Sequence, residues 1–304
     1  MSAVELVAST GDNRADGIIR GVVRRYQEQL GGYIKAYYVI GSYADGSQVP
    51  LSDIDLVVLF GKPLTQAQLD GAWELAGDCG RGSPIRLDIG LELEQRLEVG
   101  AQVGLMLGSR CVFGEDSRSQ WALPSMAAYR RYVTWGPYRF LGQVVRQQEV
   151  LQVPLDYPDA QAPFYGYTAK RIERWYPEAV EQGTKELITG VSRTARALLA
   201  LEAGQYVGSK DASVKLYHQH IGGPWADYLE TLYQKGKLTW QYLVPEELAE
   251  QQQLDEICHQ TLAFENYYFQ RYRHYLQELV QGEGQDRVFA QKRLQKVCFG
   301  DPAN

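Results

Sequence analysis

The stretch that decides the fold is GSYADGSQVPLSDID, residues 41–55, in which a Gly-Ser pair precedes two aspartates separated by one isoleucine. Gly, Ser, Asp and Pro are common in ordinary surface loops because they favour turn geometry. The flanking sequence argues for more than a loop. IKAYYVI (34–40) and DIDLVVLF (53–60) are rich in β-branched and aromatic residues, and they predict buried strands before and after the stretch.

Two helices and a third strand accompany these predicted strands. Apolar residues recur at steps of three and four from Arg14 to Leu30, which predicts an amphipathic helix that ends at a Gly-Gly pair. A second helix is expected over residues 65–77, with Thr65 as its N-cap. The alternation in PIRLDIGLEL (84–93) indicates a third strand. The predicted order is therefore helix, strand, strand, helix, strand.

The second half of the chain has a different pattern. Segments 125–150 and 167–203 show helical spacing with few strand signals, and Gly- and Pro-rich breaks divide the region into four or five helices. We therefore predict an α+β protein in three parts. These are an N-terminal domain over residues 1–120, an α-helical bundle domain over 121–281, and a loosely attached tail over 282–304.

Composition restricts the class of protein. The 304 residues carry a formal charge of −6, which argues against general binding to duplex nucleic acid because that requires clustered Lys and Arg. No apolar run approaches membrane-spanning length, and charged residues interrupt the first thirty positions where a signal peptide would be apolar. We expect a cytoplasmic protein. Four scattered cysteines without a CxxC pair indicate neither a disulfide framework nor a zinc site.

Three carboxylates are expected to lie on one face of the sheet. Asp53 and Asp55 stand at alternate positions of one predicted strand, so their side chains share a face. Asp88 lies on the polar face of the third strand and could reach the same point. Three close carboxylates repel one another unless cations lie between them, and Mg²⁺ prefers such oxygen ligands. Two Mg²⁺ ions could activate an attacking oxygen and stabilise a leaving pyrophosphate.

The Gly-Ser pair suits the phosphates of a nucleotide. Gly41 allows the backbone to approach a phosphate closely, and the Ser42 hydroxyl and nearby backbone N–H groups can donate hydrogen bonds to its oxygens. Asp45, in the loop that follows, is expected to be a turn residue. Acidic metal ligands beside a phosphate-binding turn indicate nucleotidyl transfer.

Gly41-Ser42, ten intervening residues, Asp53-Ile54-Asp55 and a later strand aspartate together resemble the motif of the nucleotidyltransferase superfamily of DNA polymerase β. The resemblance implies a mixed sheet flanked by helices in the first domain. It also implies that Asp53 and Asp55 bind metal and that Asp88 completes the metal site or acts as the base on an acceptor hydroxyl. Some relatives have glutamate in place of Asp88, which leaves its role as base open.

A looser resemblance extends into the helical half. SRTARALLALEAGQYVGSKDAS (192–213), together with VFGED after the third strand, is similar to aminoglycoside nucleotidyltransferases. The resemblance implies that Lys210 reaches the triphosphate of ATP and that Ser209 caps the following helix, also on the nucleotide side. The alternative is an ordinary serine cap followed by a solvated lysine.

The function implied is the transfer of AMP from ATP to a hydroxyl of a small molecule, such as an aminoglycoside-like amino sugar, with release of pyrophosphate. Two alternatives stay open at this stage. One is a nucleotidyltransferase that modifies a protein side chain or an RNA end. The other is a non-catalytic module that binds a nucleotide or a partner, as antitoxin-like proteins do. Relatives often build the acceptor site between subunits, so a homodimer is also an open expectation.

Overall fold

The computed structural model describes residues 4–169 and 183–300, which divide into two units. The first unit comprises residues 4–124 together with 207–209, and the second comprises 125–169, 183–206 and 210–300. Part of the helical segment predicted over 167–203 therefore lies outside the described residues, at positions 170–182.

The first unit alternates helices with the strands of one sheet. Its elements in chain order are α1 (Asn13–Leu30), β1 (Ile34–Ile40), α2 (Ser42–Asp45), β2 (Ile54–Phe60), α3 (Gln66–Arg81), β3 (Leu87–Leu93), α4 (Val99–Gly108) and β4 (Ser109–Gly114). The five predicted elements are present. The sequence did not indicate α2, which is a single turn, nor α4 and β4, whose apolar residues lack a clear period.

The four strands form a mixed sheet in the order β3-β2-β1-β4. β1 is antiparallel to both β2 and β4, whereas β2 and β3 are parallel. The short connection through α2 joins the antiparallel pair, and α3 supplies the crossover that a parallel pair requires. With the helices of the second unit, this arrangement confirms the α+β class and the mixed sheet.

The two faces of the sheet pack against different helices. On one face, Ile54 and Leu56 of β2 join the apolar sides of α1 and α3 in the larger core, which includes the fully buried Ile19. On the other face, Tyr38 of β1 and Leu59 pack with Leu105 of α4 in a smaller cluster. Strand alternation fixes this division, and it also sends the acidic side chains to the second face.

The second unit consists mainly of helices. They are α5 (Met126–Val133), α6 (Trp135–Pro137), which continues into a π-helical stretch at Tyr138–Val145, α7 (Lys185–Glu202), α8 (Lys210–His220), α9 (Pro224–Leu232) and the long α10 (Leu248–Gln281). A buried ion pair lies inside this unit, with Arg146 Nη2 2.7 Å from Glu265 Oε2. The Tyr167 hydroxyl donates to the same oxygen at 3.0 Å.

The C-terminal segment is ordered structure, so the prediction of a loosely attached tail is wrong. Residues Gly284–Leu294 form α11 and Val297–Phe299 form β6, which pairs in parallel with β5 (Leu151–Val153). Ala290 and Val297 are buried, and the Gly300 amide donates to the Val153 carbonyl at 2.8 Å. This segment has few apolar residues, so the sequence showed no periodic pattern there. Backbone pairing with a distant strand holds the segment in place.

All four cysteines are free thiols, three of them buried and Cys298 exposed. Among the residues that the structure describes, no helix combines the length and apolar character needed to cross a membrane.

Candidate active site

The structure brings the three predicted carboxylates together. In the sheet, Asp55 of β2 lies between Ile40 of β1 and Asp88 of β3, and Asp53 immediately precedes β2. One carboxylate oxygen of each aspartate lies within 4.8 Å of the other two, and all three residues are half-buried. Register and alternation therefore place Asp53, Asp55 and Asp88 on one face of the sheet, where β2 and β3 begin.

The chemistry of this cluster suits a divalent cation. Three carboxylates at such separations repel one another in a partly desolvated site, and hard cations with oxygen ligands offset that repulsion. All three donors are oxygens, as Mg²⁺ prefers, and their number leaves coordination positions for phosphate oxygens and water. The three aspartates can therefore hold Mg²⁺ together with a nucleotide.

Gly41 lies against the cluster in a conformation that requires glycine. Its backbone has φ 69° and ψ −147°, a region that side-chain-bearing residues rarely adopt. A Cβ atom added to it would lie 2.9 Å from Asp55 Oδ2. Ser42 then opens α2, in which the amide of Ala44 donates to the Gly41 carbonyl at 3.0 Å. The Gly-Ser turn thus passes directly beside one metal-binding candidate.

Asp45 is a turn residue, as the sequence indicates. Its Oδ1 accepts hydrogen bonds from the Ser47 amide at 3.0 Å and from the Ser47 hydroxyl at 2.6 Å. This local pattern stabilises the exposed end of the loop. Asp45 is not part of the three-carboxylate cluster.

The sequence reasoning missed Arg86 as a neighbour of the cluster. Arg86 Nη2 lies 3.8 Å from Asp88 Oδ2, and both side chains are partly exposed. The signal was available, because residues two apart on a strand share a face. The guanidinium adds one positive charge beside three negative ones and can orient the Asp88 carboxylate.

Two glutamates, Glu92 near the end of β3 and Glu94 immediately after it, have distinct environments. Burial and the nearby Glu98 raise the pKa of Glu92 above its ordinary value. Burial would also raise the pKa of Glu94, but its hydrogen bonds from Lys35 and Trp121 outweigh burial and hold that pKa below the ordinary value. Glu94 therefore serves an ion pair, with Lys35 Nζ at 2.7 Å.

Ser209 and Lys210 fall on either side of the division between the units. Ser209 is buried and belongs with the first unit, whereas Lys210 is the first residue of α8 in the second. Lys210 Nζ donates to the Thr189 hydroxyl of α7 at 3.0 Å. Their roles towards a nucleotide remain predictions.

Two solved structures that are similar to parts of this chain contain a bound nucleotide. A spectinomycin adenyltransferase, AAD(9) from Enterococcus faecialis, solved with ATP and spectinomycin, is 12% identical over 82% of this chain and 98% of that chain, with a TM-score of 0.49. A toxin-antitoxin complex with AMP-PNP is 19% identical over 42% of this chain and 94% of its own, with a TM-score of 0.29. No curated protein sequence gives a significant match.

A family model gives the identification. The model described as a nucleotidyltransferase domain matches residues 19–103. This span contains the Gly41-Ser42 turn and the cluster of Asp53, Asp55 and Asp88. Residues 19–103 therefore form a nucleotidyltransferase domain.

Proposed function

We propose that this enzyme transfers AMP from ATP to a hydroxyl group of a small molecule, with an aminoglycoside-like amino sugar as the acceptor class, and releases pyrophosphate. The observation that carries the proposal is the convergence of Asp53, Asp55 and Asp88, whose oxygens lie within 4.8 Å of one another. The acceptor class comes from the resemblance of residues 192–213 to aminoglycoside nucleotidyltransferases.

Each residue of the site has a defined task in this proposal. Asp53 and Asp55 would hold two Mg²⁺ ions. Bound Mg²⁺ would stabilise the negative charge of the triphosphate. The Gly41-Ser42 turn and Lys210 hold the phosphate oxygens, and Ser209 supports the start of α8. Arg86 keeps the Asp88 carboxylate oriented, since the two charged groups are 3.8 Å apart.

The transfer balances as a substitution at phosphorus. The acceptor oxygen forms a bond to the α-phosphorus of ATP, and the bond from that phosphorus to the oxygen bridging to the β-phosphorus breaks. Pyrophosphate leaves with the electron pair. The proton of the acceptor hydroxyl passes to an Asp88 carboxylate oxygen; if Asp88 acts instead as a third metal ligand, the proton passes to solvent water. We place the reaction in the cytoplasm, where ATP is available.

The test is pyrophosphate release from ATP and Mg²⁺ in the presence of a panel of aminoglycosides and amino sugars. Asp53→Asn should abolish acceptor-dependent release without unfolding the protein, because it removes a charge that is repelled in the empty cluster. Asp45→Asn is the matched control: it makes the same chemical change in the same loop, but its side chain bonds only to Ser47 in the contacts seen here. It should retain activity.

The possible results separate the three functions. Release that requires an acceptor from the panel and Asp53 supports the proposal. ATP binding with no release from any small acceptor would move the acceptor to a protein or an RNA. Equal activity in wild type and Asp53→Asn would overturn the assignment of the metal site.

A further inference from the structure

A cluster of metal-binding side chains lies in the second unit, where the segment after β5 contacts the first half of α10. Its members are Tyr157 and Tyr165 of that segment and Asp255 and His259 of α10. All four residues belong to the second unit. We call them the Tyr–His–Asp cluster. The proposed nucleotidyl transfer assigns no task to any of them.

The helix presents two of these side chains to the same point. Asp255 and His259 are four residues apart on α10, so they lie on one face, one turn from each other. His259 Nε2 lies 3.6 Å from Asp255 Oδ2, and the two side chains are 45% and 46% exposed. Two metal-binding side chains at this spacing on a helix can hold one ion, as in HExxH zinc sites. The exposure leaves a path for an ion from solvent.

Tyr165 adds a third donor atom at a matching distance. Its hydroxyl oxygen lies 3.0 Å from His259 Nε2 and 3.3 Å from Asp255 Oδ2. Tetrahedral zinc sites with bonds of about 2.0–2.2 Å have ligand atoms roughly 3.3–3.6 Å apart. The three measured separations therefore allow one ion to lie at bonding distance from all three atoms, on the solvent side of the plane that they define.

Tyr157 fixes the orientation of the imidazole ring. Its hydroxyl lies 2.5 Å from His259 Nδ1, the ring nitrogen that points away from Asp255 and Tyr165. The rings of Tyr157 and Tyr165 stack, with centroids 4.3 Å apart, which holds both phenols in place. Histidines that bind metals commonly use their second nitrogen for a hydrogen bond of this kind, which sets the tautomer and the ring orientation.

The backbone at Tyr165 is strained. Phe164 and Tyr165 have φ 50° and 54°, in the left-handed region that bulky side chains rarely adopt. Such a conformation persists only when the surrounding structure holds it, and it is concentrated at functional and ligand-binding sites. Here it directs the Tyr165 hydroxyl to the carboxylate and the imidazole of α10. The strain is a second observation, independent of the donor distances, that favours a ligand-binding role.

Two other histidines show what an ordinary ion pair looks like in this unit. His274 Nε2 lies 3.1 Å from Glu278 Oε1, four residues further along α10, and His218 Nε2 lies 2.9 Å from Glu230 Oε2. Among the contacts of the described residues, neither imidazole has a tyrosine hydroxyl at either nitrogen. His259 differs from both because a hydroxyl lies at each of its ring nitrogens.

We propose that Tyr165, Asp255 and His259 bind one zinc-class transition-metal ion, with water as the fourth ligand. Imidazole nitrogen suits Zn²⁺, whereas Mg²⁺ prefers oxygen ligands throughout, so this site and the three-carboxylate cluster select different metals. His259 gives the Nε2 lone pair to the ion, so its proton resides on Nδ1 and is donated to the Tyr157 hydroxyl. The bound ion links the strained segment to α10 and stabilises the second unit.

The experiment measures metal binding by the full chain, with Zn²⁺ and Co²⁺ as probes and excess Mg²⁺ present. Calorimetry gives the Kd and the number of Zn²⁺ ions per chain. Four-coordinate Co²⁺ absorbs visible light much more strongly than six-coordinate Co²⁺, so the spectrum reports the geometry. The variants are His259→Gln, Asp255→Asn, Tyr165→Phe and Tyr157→Phe, and circular dichroism verifies that each folds.

Two controls separate this site from other sites that could take Zn²⁺. His274→Gln makes the same change on the same helix, in a pair with a carboxylate four residues away but without the tyrosines. Asp55→Asn removes one carboxylate of the three-carboxylate cluster. Both controls should bind one Zn²⁺ with the Kd of wild type.

We expect wild type to bind one Zn²⁺ per chain and to give the strong Co²⁺ absorption. His259→Gln and Asp255→Asn should lose both signals at concentrations that saturate wild type. Tyr165→Phe should raise the Kd about tenfold or more, and Tyr157→Phe about tenfold, the loss typical of a residue that orients a metal ligand. Zn²⁺ should raise the Tm of wild type and leave that of His259→Gln unchanged, because only a folded site binds the ion.

Four results would overturn the proposal. If wild type binds no Zn²⁺, the cluster is a set of hydrogen bonds only. If binding is lost in Asp55→Asn and kept in His259→Gln, the ion occupies the three-carboxylate cluster. An equal loss in His274→Gln and His259→Gln would indicate non-specific binding to exposed histidines. An unchanged Kd in Tyr165→Phe would remove the third ligand and with it the proposed site.

Discussion

Replacing Gly41 with alanine tests the link between the backbone turn and the metal site. The substitution adds one methyl group at the end of β1, where φ is 69° and ψ is −147°. Two independent costs arise. The backbone must hold alanine in a region used almost only by glycine, and the new Cβ must share space with Asp55 Oδ2.

The magnitude follows from the geometry. Backbone strain of this kind costs about 1–3 kcal/mol. For a unit of roughly this size, each kcal/mol lowers Tm by about 4 °C, so ~2 kcal/mol lowers Tm by about 8 °C. The Cβ would lie 2.9 Å from Asp55 Oδ2, and ordinary contacts are about 3.5 Å. The carboxylate must therefore move by roughly half an ångström, and displacements near 1 Å cost about 100-fold in rate.

The assay compares activity and unfolding in two variants. Gly41→Ala should lower kcat/KM for pyrophosphate release by about 10- to 100-fold at a temperature well below its Tm. Gly11→Ala is the control, because Gly11 also has positive φ (87°) but an added Cβ there meets no atom within 4 Å. It should lose stability and keep its activity. The reasoning is refuted if both variants lose activity equally, or if Gly41→Ala loses stability alone.

Three further predictions concern charge. Mg²⁺ at 100 times its Kd should stabilise the wild type by about 2.7 kcal/mol. In a thermal-shift titration, Asp55→Asn should lose most of this stabilisation. Equal stabilisation of both proteins by Mg²⁺ would contradict the role of Asp55 as a metal ligand. Arg146→Met should cost about 3–5 kcal/mol in urea unfolding because Glu265 is left buried without its cation, and adding Glu265→Leu should recover most of it; no recovery would argue against the charge explanation. The ion pair with Lys35 lowers the pKa of Glu94. The contribution of this pair to the stability of the folded protein is therefore present above the ordinary glutamate pKa, about 4.3, and is lost as pH falls through the lowered pKa. The Tm difference between wild type and Glu94→Gln should shrink from pH 7 to pH 3.5, and a constant difference would show that the pair is not responsible.

Strand periodicity made the acidic site predictable. Alternation alone places Asp53 and Asp55 on one face, and the polar position of Asp88 among Leu87 and Ile89 places it on the polar face of its own strand. What alternation does not give is which strands are neighbours. The match of residues 19–103 to a nucleotidyltransferase domain agrees with the resemblance stated from the motif.

The structural features that could not be predicted from the sequence depend on contacts between distant segments. The approach of Gly41 to Asp55 depends on the strand order, because it requires β1 and β2 to be neighbours in the sheet. The C-terminal strand β6 likewise requires β5, which precedes it by more than a hundred residues. Short elements held by such pairing carry almost no local signal.

The mixed topology itself explains why the site forms where it does. The end of β1 lies beside the beginnings of β2 and β3, because β1 is antiparallel to β2 and β2 is parallel to β3. The turn after β1 therefore meets the first residues of both other strands, and Ile40, Asp55 and Asp88 stand in one row. If β3 were antiparallel to β2, its first residues would lie at the opposite end of the strands. A slip of one residue in the β3 register would turn Asp88 to the apolar face. The position of the third carboxylate thus depends on the parallel crossover through α3.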